Sequence, residues 1–292
     1  MRGKKLALIV LLLAGALISS YFALEAYANY KLKEKIDRRL SKLPEEVSYE
    51  DFHYNLLLND FDFKGITVKE GNLELLKVKE LKVDLPFYLR KKEVPDSLKV
   101  KAYSITVPSV YLLNLIGYKV PNLKFDLDLG YSIDGKELLG KFRLDAYKLA
   151  DFFTTVSIEG TKKTYLKKLL EGRVPFSSVE RKLYLEKVNI VYRDFGLFNK
   201  ALSYISSQEG ESPFQVKKEL KKMVAESLRN DPQLFEDIGY PLINFIDNPK
   251  CLSLSVQPKE PVNFKTLKKF LSSNLNLNSL IKELGVKFST CS

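Results

Sequence analysis

Two cysteines, Cys251 and Cys291, lie near the C-terminus, and each belongs to a short segment in which apolar and polar residues alternate. If segments 251–256 and 286–291 pair antiparallel with Val256 opposite Val286, the same register sets Cys251 opposite Cys291. Directly opposite side chains have Cβ atoms about 4.5–5.5 Å apart at a non-hydrogen-bonded pair, close to the roughly 3.5–4.5 Å of a disulfide. We therefore predict a Cys251–Cys291 disulfide. The alternative is two unrelated thiols, one at a strand start and one in a frayed tail.

His53 is the only histidine of the chain. Histidine is the usual base for a serine or cysteine nucleophile and a common zinc ligand. A single copy among tyrosines and phenylalanines favours a packing or surface role instead. The 36 acidic residues leave carboxylate-only hydrolysis open, but no pair of them stands out. We predict no catalytic, cofactor-binding or metal-binding residue.

Two short motifs resemble metal-binding sequences. Asp194-Phe195-Gly196 spells the metal-binding triplet of protein kinases, but the glycine-rich loop and the His-Arg-Asp loop of that class do not accompany it. We interpret it as a strand end that turns into a helix. Residues 126–130, Asp-Leu-Asp-Leu-Gly, resemble part of a calcium loop. Their alternating leucines place both carboxylates on the wet face of a strand, and the ligand number of a calcium site is not reached.

Residues from Val47 to about Asp194 mostly follow a period of two, which indicates half-buried strands with one wet face. Glycines, prolines and the turn signal Asp134-Gly135 separate these strands. We predict seven to nine strands in a mostly antiparallel sheet, whose apolar face is covered by C-terminal helices or by lipid. The residues expected to share that face include Phe125, Leu127, Leu129, Phe142 and Leu144.

After Asp194 the apolar residues recur at helical spacing. Ser212-Pro213 and Asp231-Pro232 each have the form of an N-cap followed by a first-turn proline. Pro241 is expected to kink or divide the second helix. Two shorter helices, at about 262–271 and 277–284, are bracketed by strands at 251–257 and 286–291. The inward residues predicted for the first two helices are Val216, Leu220, Met223, Val224, Leu228, Leu234, Phe235, Ile238, Leu242 and Phe245.

The segment from Leu6 to Leu24 carries no charge and directly follows a basic start at residues 1–5. A helix needs about 20 mostly apolar residues to cross the hydrocarbon core of a bilayer, so we predict a single membrane span here. Ala26-Tyr27-Ala28 fits the cleavage site of a secretory signal. The region before that site is long for a signal and contains Glu25 and bulky aromatic residues, which favours a retained anchor.

The orientation of this span has two interpretations. Three basic residues precede it, and five follow between positions 31 and 39, so a count of Lys and Arg places the C-terminal side in the cytoplasm. A short basic start before a leucine-rich core is, however, the layout of exported proteins, and long domains are translocated largely regardless of charge. We expect a cytoplasmic N-terminus and a periplasmic body. Leu32, Ile36, Leu40 and Leu43 recur at helical spacing, which predicts that the helix continues past the membrane.

The composition is that of a folded protein with a basic surface. Hydrophobic residues make up 45% and aromatic residues 12% of the 292 residues, and the net charge is +11. Such a surface suits anionic lipid head groups or another polyanion, or is simply well solvated. Nucleic-acid binding is disfavoured because Lys is spread along the chain and no nucleic-acid motif is present.

We predict an α+β fold with an N-terminal transmembrane helix, a mostly antiparallel β-rich region and a helical, α+β C-terminal region. The predicted domain organisation is a cytoplasmic start with a transmembrane anchor at 1–30, a helical linker at 31–46, a β-rich domain at 47–195 and an α+β domain at 196–292.

An N-terminal anchor is followed by Val47-Ser48-Tyr49 and by strand-like segments at 63–68, 78–86 and 98–107. Over roughly residues 1–110 this pattern resembles the AsmA-like envelope proteins of Gram-negative bacteria. In that family such strands build a sheet that curls into a lipid-facing groove, implicated in phospholipid traffic or outer-membrane assembly. This chain departs from the family by being short. Eight strands at about 4.8 Å spacing give a sheet only about 35–40 Å wide, too little to bridge an envelope alone. No functional residue is carried over.

The function expected from these features is that of an inner-membrane-anchored periplasmic protein without catalytic activity. Its partners would be membrane lipid around the span Leu6–Leu24 and either a phospholipid ligand or an envelope protein, with no cofactor and no nucleic acid. The alternatives are a structural or assembly subunit of an envelope complex and, third, an envelope hydrolase.

Overall fold

A computed structural model describes the backbone of residues 2–85, 95–108, 122–160, 173–272 and 277–291, together with residues 162, 164, 165 and 168. The side chains of these residues are described too, except those of 2–18, 122, 270–272 and 277. The protein is α+β, with one large antiparallel sheet and several helices, as the sequence predicted.

The sheet contains twelve strands within the described part of the chain. They are β1 (Glu46–Ser48), β2 (Asp51–Asn55), β3 (Asp60–Glu70), β4 (Leu73–Asp84), β5 (Ser97–Pro108), β6 (Asn122–Asp134), β7 (Glu137–Ala146), β8 (Ala150–Glu159), β9 (Tyr184–Asp194), β10 (Cys251–Val256), β11 (Val262–Asn263) and β12 (Val286–Ser289). Nine of them lie between residues 46 and 194, so the predicted number of strands is confirmed.

The helices are α1 (Arg2–Leu40), α2 (Phe176–Val179), α3 (Leu197–Glu209), α4 (Pro213–Ser227), α5 (Pro232–Leu234), α6 (Tyr240–Asp247), α7 (Phe264–Ser272) and α8 (Leu277–Glu283). A 3₁₀ turn at Glu180–Lys182 follows α2, and a π-helical turn at Phe235–Gly239 joins α5 to α6.

The strand order is β1-β3-β4-β5-β6-β7-β8-β9-β10-β12, with β2 paired to β3 and β11 paired to β9. From β3 to β9 each strand therefore lies beside the next one in the chain. The hairpin between β6 and β7 turns at Gly135, whose φ of +56° is a conformation that residues with a Cβ rarely adopt. The sheet runs without a break across the predicted domain boundary at 195/196, because β10 pairs with β9 over its whole length.

The register sorts the side chains of the sheet onto two chemically different faces, since successive residues of a strand point to opposite sides. We call them the apolar face and the charged face. On β6 the apolar face receives Phe125, Leu127 and Leu129, and the cross-strand partners of these residues on β7 are Ala146, Leu144 and Phe142. The charged face carries, on strands β4 to β9, residues that include Lys82, Asp84, Lys99, Lys101, Asp126, Asp128, Lys141, Arg143, Asp145, Asp151, Lys187 and Arg193.

The C-terminal helices cover the end of the apolar face formed by β9, β10 and β12. Leu228, Leu234 and Ile238 form a buried cluster, and Val286 and Phe288 of β12 pack against it. The prediction that C-terminal helices cover the apolar face is thus confirmed for this end. Burial of this kind supplies most of the stability of a fold, at about 25 cal/mol per Å² of apolar surface.

The ends of these helices agree with the sequence patterns. The Ser212 side chain accepts a hydrogen bond from the Gln215 amide at 3.2 Å at the start of α4. Asp231 likewise accepts one from the Leu234 amide at 3.3 Å at the start of α5. N-caps of this type typically contribute about 1 kcal/mol. The helix that contains Pro241 is divided, as predicted, by the π-helical turn directly before α6.

Two details of the helical prediction were wrong. Met223 was predicted to face inward, but it is 62% exposed. The buried side of this helix is formed by Val216 and by Leu228 directly after its end, with half-buried residues between them. The helix expected from position 262 begins at Phe264, since residues 262 and 263 pair with β9 instead.

The apolar face between β3 and β8 is less completely covered. Val78, Ala102 and Ile105 are buried at its centre, and partly buried side chains surround them, Phe125 and Leu127 among them. Towards β7 the surface opens, and Leu129 is 37% exposed. The predicted apolar face is therefore continuous, but only some of its side chains are buried.

Candidate functional site

His53 lies on the surface of β2. Its side chain is 55% exposed, and its Nε2 lies 3.6 Å from a carboxylate oxygen of Glu25 on α1. Neither a serine nor a cysteine hydrogen-bonds to this ring in the described part of the chain. The contact with Glu25 instead joins β2 to the helix beside it, which agrees with the predicted surface role.

Asp194 of the Asp194-Phe195-Gly196 motif is buried and holds the start of α3. One carboxylate oxygen accepts hydrogen bonds from the Tyr192 hydroxyl at 2.7 Å and from the Phe198 amide at 2.8 Å. The other accepts a hydrogen bond from the Gly196 amide at 2.9 Å. The carboxylate thus satisfies amides that a helix start leaves without intrahelical partners. The interpretation as a strand end turning into a helix is confirmed.

The two carboxylates of the 126–130 segment lie on the charged face, as predicted, and both have protein partners. Asp126 accepts a hydrogen bond from the Ser104 amide at 2.6 Å. Asp128 lies 3.6 Å from the Lys101 ammonium. Both carboxylates therefore serve the β5–β6 pair. Three other acids, Glu209, Glu211 and Glu219, bring carboxylate oxygens within 4.8 Å of one another. Glu209 and Glu219 are exposed, and Glu211 is half-buried.

Cys251 and Cys291 are joined by a disulfide in the structure, with their Cα atoms 5.2 Å apart. The pairing of β10 with β12 has the predicted register, with Val256 opposite Val286 and Ser253 opposite Ser289. Cys251 is 9% exposed, so the bond lies at a covered margin of the sheet.

A cavity of about 890 Å³ lies on the charged face, at the centre of the sheet. Its volume is within the 300–1,000 Å³ typical of small-molecule sites. Its walls mix apolar side chains, Leu85, Leu139 and Phe153 among them, with charged ones. The charged residues that line it are Asp84, Lys99, Asp128, Lys141, Arg143, Asp151 and Arg193.

Asp151 anchors one wall of this cavity. Its side chain is only 8% exposed, and its two oxygens each lie 3.1 Å from Arg143, from Nε and from a terminal nitrogen. Arg193 approaches the same carboxylate at 3.6 Å. Planar, bidentate pairs of this kind fix geometry as well as charge. Two guanidinium groups share a single carboxylate, so this wall keeps a net positive charge.

Lys99 and Lys141 face each other across one strand at the floor of the cavity. Gly130 of β6 is opposite Lys99 of β5 on one side and opposite Lys141 of β7 on the other. Two strand spacings separate the lysine backbones by about 9.6 Å, and the glycine leaves the space between them free of a side chain. Within the described residues, the ion pairs of this cavity involve Lys101, Arg143 and Arg193, and none involves these two lysines.

Lys101 is paired with Asp128 of the cavity lining and adds a further positive charge next to the cavity. The neighbouring Tyr103 side chain and, to a smaller extent, Asp128 raise the pKa of Lys101 above its usual value. Its ammonium therefore stays protonated at physiological pH. The alternating pattern of residues 47–194 indicates only that these strands have one wet face, and it carries no signal for a cavity.

The N-terminal helix is attached to the sheet at β2. The Asn29 side chain donates a hydrogen bond to the Tyr54 carbonyl at 2.8 Å and accepts one from the Tyr54 amide at 2.5 Å. It thus pairs with an edge strand in the way that a neighbouring strand would. Tyr49 donates a further hydrogen bond to Asp37. The predicted continuation of the helix beyond residue 30 is confirmed as far as Leu40. The helical linker was predicted to reach residue 46, and this part was wrong, because residues 41–45 form turns and bends and β1 begins at Glu46.

Among the side chains that the structure describes, no helix contains a stretch long and apolar enough to cross a membrane. The predicted span Leu6–Leu24 falls largely on residues 2–18, whose side chains lie outside those described. The backbone of the span belongs to α1. The membrane anchor thus stays a prediction.

The model of one protein family matches residues 143–290, slightly more than half of the 292 residues of the chain. The chain belongs to this family, which is described as "Uncharacterized protein". A comparison with curated proteins gave no match. The matched range begins within β7 and includes the C-terminal helices, Asp151, Arg193 and Cys251, and it ends one residue before Cys291. The segments on which the AsmA-like resemblance was predicted lie before this range, so the family match does not test that prediction.

Proposed function

We propose that this protein is a membrane-anchored envelope protein that binds the acyl chains of phospholipid on the apolar face of its sheet, without catalysing a reaction. The observation that carries the proposal is the continuity of that face. Apolar side chains lie opposite one another from β3 to β8, and they are only partly covered by the described residues.

The exposure of single residues supports an occupant for this face. Leu129 is 37% exposed, and Leu127, Phe142 and Leu144 are neither fully buried nor fully exposed. Contiguous apolar surfaces of this kind are rare on monomeric proteins and mark interaction sites. An acyl chain would remove these side chains from water at about 0.8 kcal/mol per buried methylene group.

The position of α1 supports lipid as that occupant. The uncharged segment ends at Leu24, and the next residue, Glu25, already contacts His53 of the sheet. The part of α1 from residue 25 to residue 40 is about 24 Å long, and the sheet packs alongside it. An anchor at residues 6–24 would therefore hold the β2 edge of the sheet close to the bilayer surface.

Three observations support the remaining parts of the proposal. His53, Asp194 and Asp128 each have a structural partner, which favours a binding protein over an enzyme. The disulfide favours an oxidising compartment such as the periplasm. The apolar sheet face agrees with the lipid-facing groove that the AsmA-like resemblance implies.

The test is to purify the full chain from membranes in detergent and to measure phospholipid phosphorus per mole of protein, with native mass spectrometry to identify the lipid. Leu129→Glu places a charge on the apolar face, and we expect it to reduce the bound lipid several-fold. Leu57→Glu, at a 70% exposed position in the β2–β3 turn, is the matched control and should retain the wild-type amount. Wild-type protein without lipid, or equal loss in both variants, would contradict the proposal.

Exposed side chains on the C-terminal helices favour a second candidate, an assembly subunit of an envelope complex. Phe214 and Met223 of α4 are 76% and 62% exposed. Cross-linking in intact cells should then give one stoichiometric complex, lost in Phe214→Ser and retained in Leu57→Ser. Lipid-bound protein that forms no such complex would favour the first candidate.

A further inference from the structure

The cavity on the charged face has an excess of positive charge that its own acidic residues do not neutralise. Four cationic side chains line it against three carboxylates. Asp151 is shared by Arg143 and Arg193, and Asp128 is paired with Lys101, which lies outside the lining. The third carboxylate is that of Asp84 on β4, which lies opposite Lys99 of β5. It is the acid nearest to the two lysines of the floor.

The row Lys99, Gly130, Lys141 is the part of the cavity best arranged to take an anion. Both ammonium groups are borne on flexible four-carbon stems, so both can converge on a group placed between them. The absence of a side chain at Gly130 provides the space. The strand geometry also favours glycine there, because a Cβ would lie 2.8 Å from the Leu98 carbonyl oxygen. Whether the glycine is required by a ligand or by the strand geometry, it leaves a gap between the two lysines.

We propose that this cavity binds a phosphate-bearing ligand, with the phosphate between Lys99 and Lys141 and its organic portion against Leu85, Leu139 and Phe153. A tetrahedral anion with several acceptor oxygens can receive hydrogen bonds from both ammonium groups at once. The volume of about 890 Å³ exceeds that of a bare phosphate ion, and the apolar walls leave room for an organic substituent. The cavity lies on the charged face, opposite to the proposed acyl-binding face. Phosphate binding in the cavity therefore does not depend on lipid binding to the apolar face.

The test uses the full chain in detergent and three probes: inorganic phosphate, dihexanoyl phosphatidate and dihexanoylglycerol, which lacks the phosphate. Binding is measured by isothermal titration calorimetry at low and at high salt. The variant Lys99→Gln/Lys141→Gln removes both floor charges. The control Lys79→Gln/Lys136→Gln removes two charges from exposed positions outside the cavity.

We expect phosphatidate to bind, and its Kd to rise at least tenfold in Lys99→Gln/Lys141→Gln but less than twofold in the control. Binding should also weaken as salt rises, because partly exposed charges are screened. Inorganic phosphate that binds with the same dependence on the two lysines identifies the free ion as a ligand. Binding of phosphatidate alone identifies a phosphate ester whose organic portion is required.

Three results would overturn the proposal. They are no binding of either phosphate probe, equal weakening in the cavity variant and in the control, and binding of dihexanoylglycerol as tight as that of phosphatidate. Circular dichroism of each variant guards against misfolding, and the exposure of all four substituted lysines makes native spectra the expected result.

Discussion

Breaking the Cys251–Cys291 disulfide is expected to lower the free energy of unfolding by about 4 kcal/mol. The bond closes a loop with a sequence separation of 40 residues, and the chain-entropy relation for a loop of that length gives about 4 kcal/mol at 25 °C. The Cα–Cα distance of 5.2 Å lies within the usual 4.4–6.8 Å range for disulfides. Because β10 and β12 also pair through their backbones at four positions, we expect the folded state to keep this pairing when the bond is absent.

The assay is urea unfolding of the oxidised and of the reduced wild-type chain, followed by circular dichroism. This comparison leaves the amino-acid sequence unchanged, so it introduces no cavity at the 9% exposed Cys251. With an m-value of about 3 kcal/mol per M, a loss of 4 kcal/mol lowers the urea midpoint by roughly 1.3 M. Cys251→Ala/Cys291→Ala should unfold close to the reduced wild type, and a reductant should leave its midpoint unchanged.

Equal midpoints for the oxidised and reduced chains would refute this reasoning, because the loop constraint would then contribute nothing to stability. Thiol labelling of denatured, unreduced protein provides an independent check. Two labelled thiols per chain would show that the bond is not formed in the cell, and they would remove much of the support for a periplasmic location.

Three further predictions concern the two ends and the centre of the sheet. Leu127→Asp forces a charge onto the half-buried centre of the apolar face and should cost about 3 kcal/mol; an unchanged urea midpoint would contradict the assignment of this face. Asn29→Ala removes two hydrogen bonds to the Tyr54 backbone and should cost about 1–3 kcal/mol, with faster amide hydrogen exchange confined to β2 and α1. Burial, together with the hydrogen bond to Asp194, raises the pKa of Tyr192 in the folded protein. The contribution of the neutral Tyr192 hydroxyl to stability is therefore complete below the ordinary tyrosine pKa of about 10, and it is lost as the pH rises above that value. In Tyr192→Phe the alkaline loss of stability should therefore be smaller, and a profile identical to that of the wild type would contradict the contact.

The features that the sequence predicted well depend on neighbours along the chain. A period of two places Phe125, Leu127 and Leu129 on one face whatever strand lies beside them. The β10–β12 register followed from the same alternation together with the position of each cysteine. The N-caps at Ser212 and Asp231 are equally local, since the capping side chain reaches an amide only three residues away.

The features that the sequence did not predict depend on what packs against an element. Met223 has the spacing of an inward residue, but its side chain points to solvent because the packing partners of α4 lie beside Val216 and Leu228. The uneven coverage of the apolar face has the same origin. Helical spacing located the C-terminal helices, but it did not show that they would cover β9, β10 and β12 rather than β6 and β7.

The cavity on the charged face is an example of a binding site that cannot be predicted from the sequence pattern of single strands. Lys99, Gly130 and Lys141 are separated by 31 and 11 positions, and each looks like an ordinary residue of a solvated strand. They form one row only because the β5–β6 register sets Lys99 opposite Gly130. This register shifts further along the strand, between Ala102 and Ile105. A shift of one residue in that register would place Leu98 or Val100 beside the glycine instead, and the two ammonium groups would no longer share a gap. The site is therefore a product of strand pairing, and its function is best tested at the two lysines that the pairing brings together.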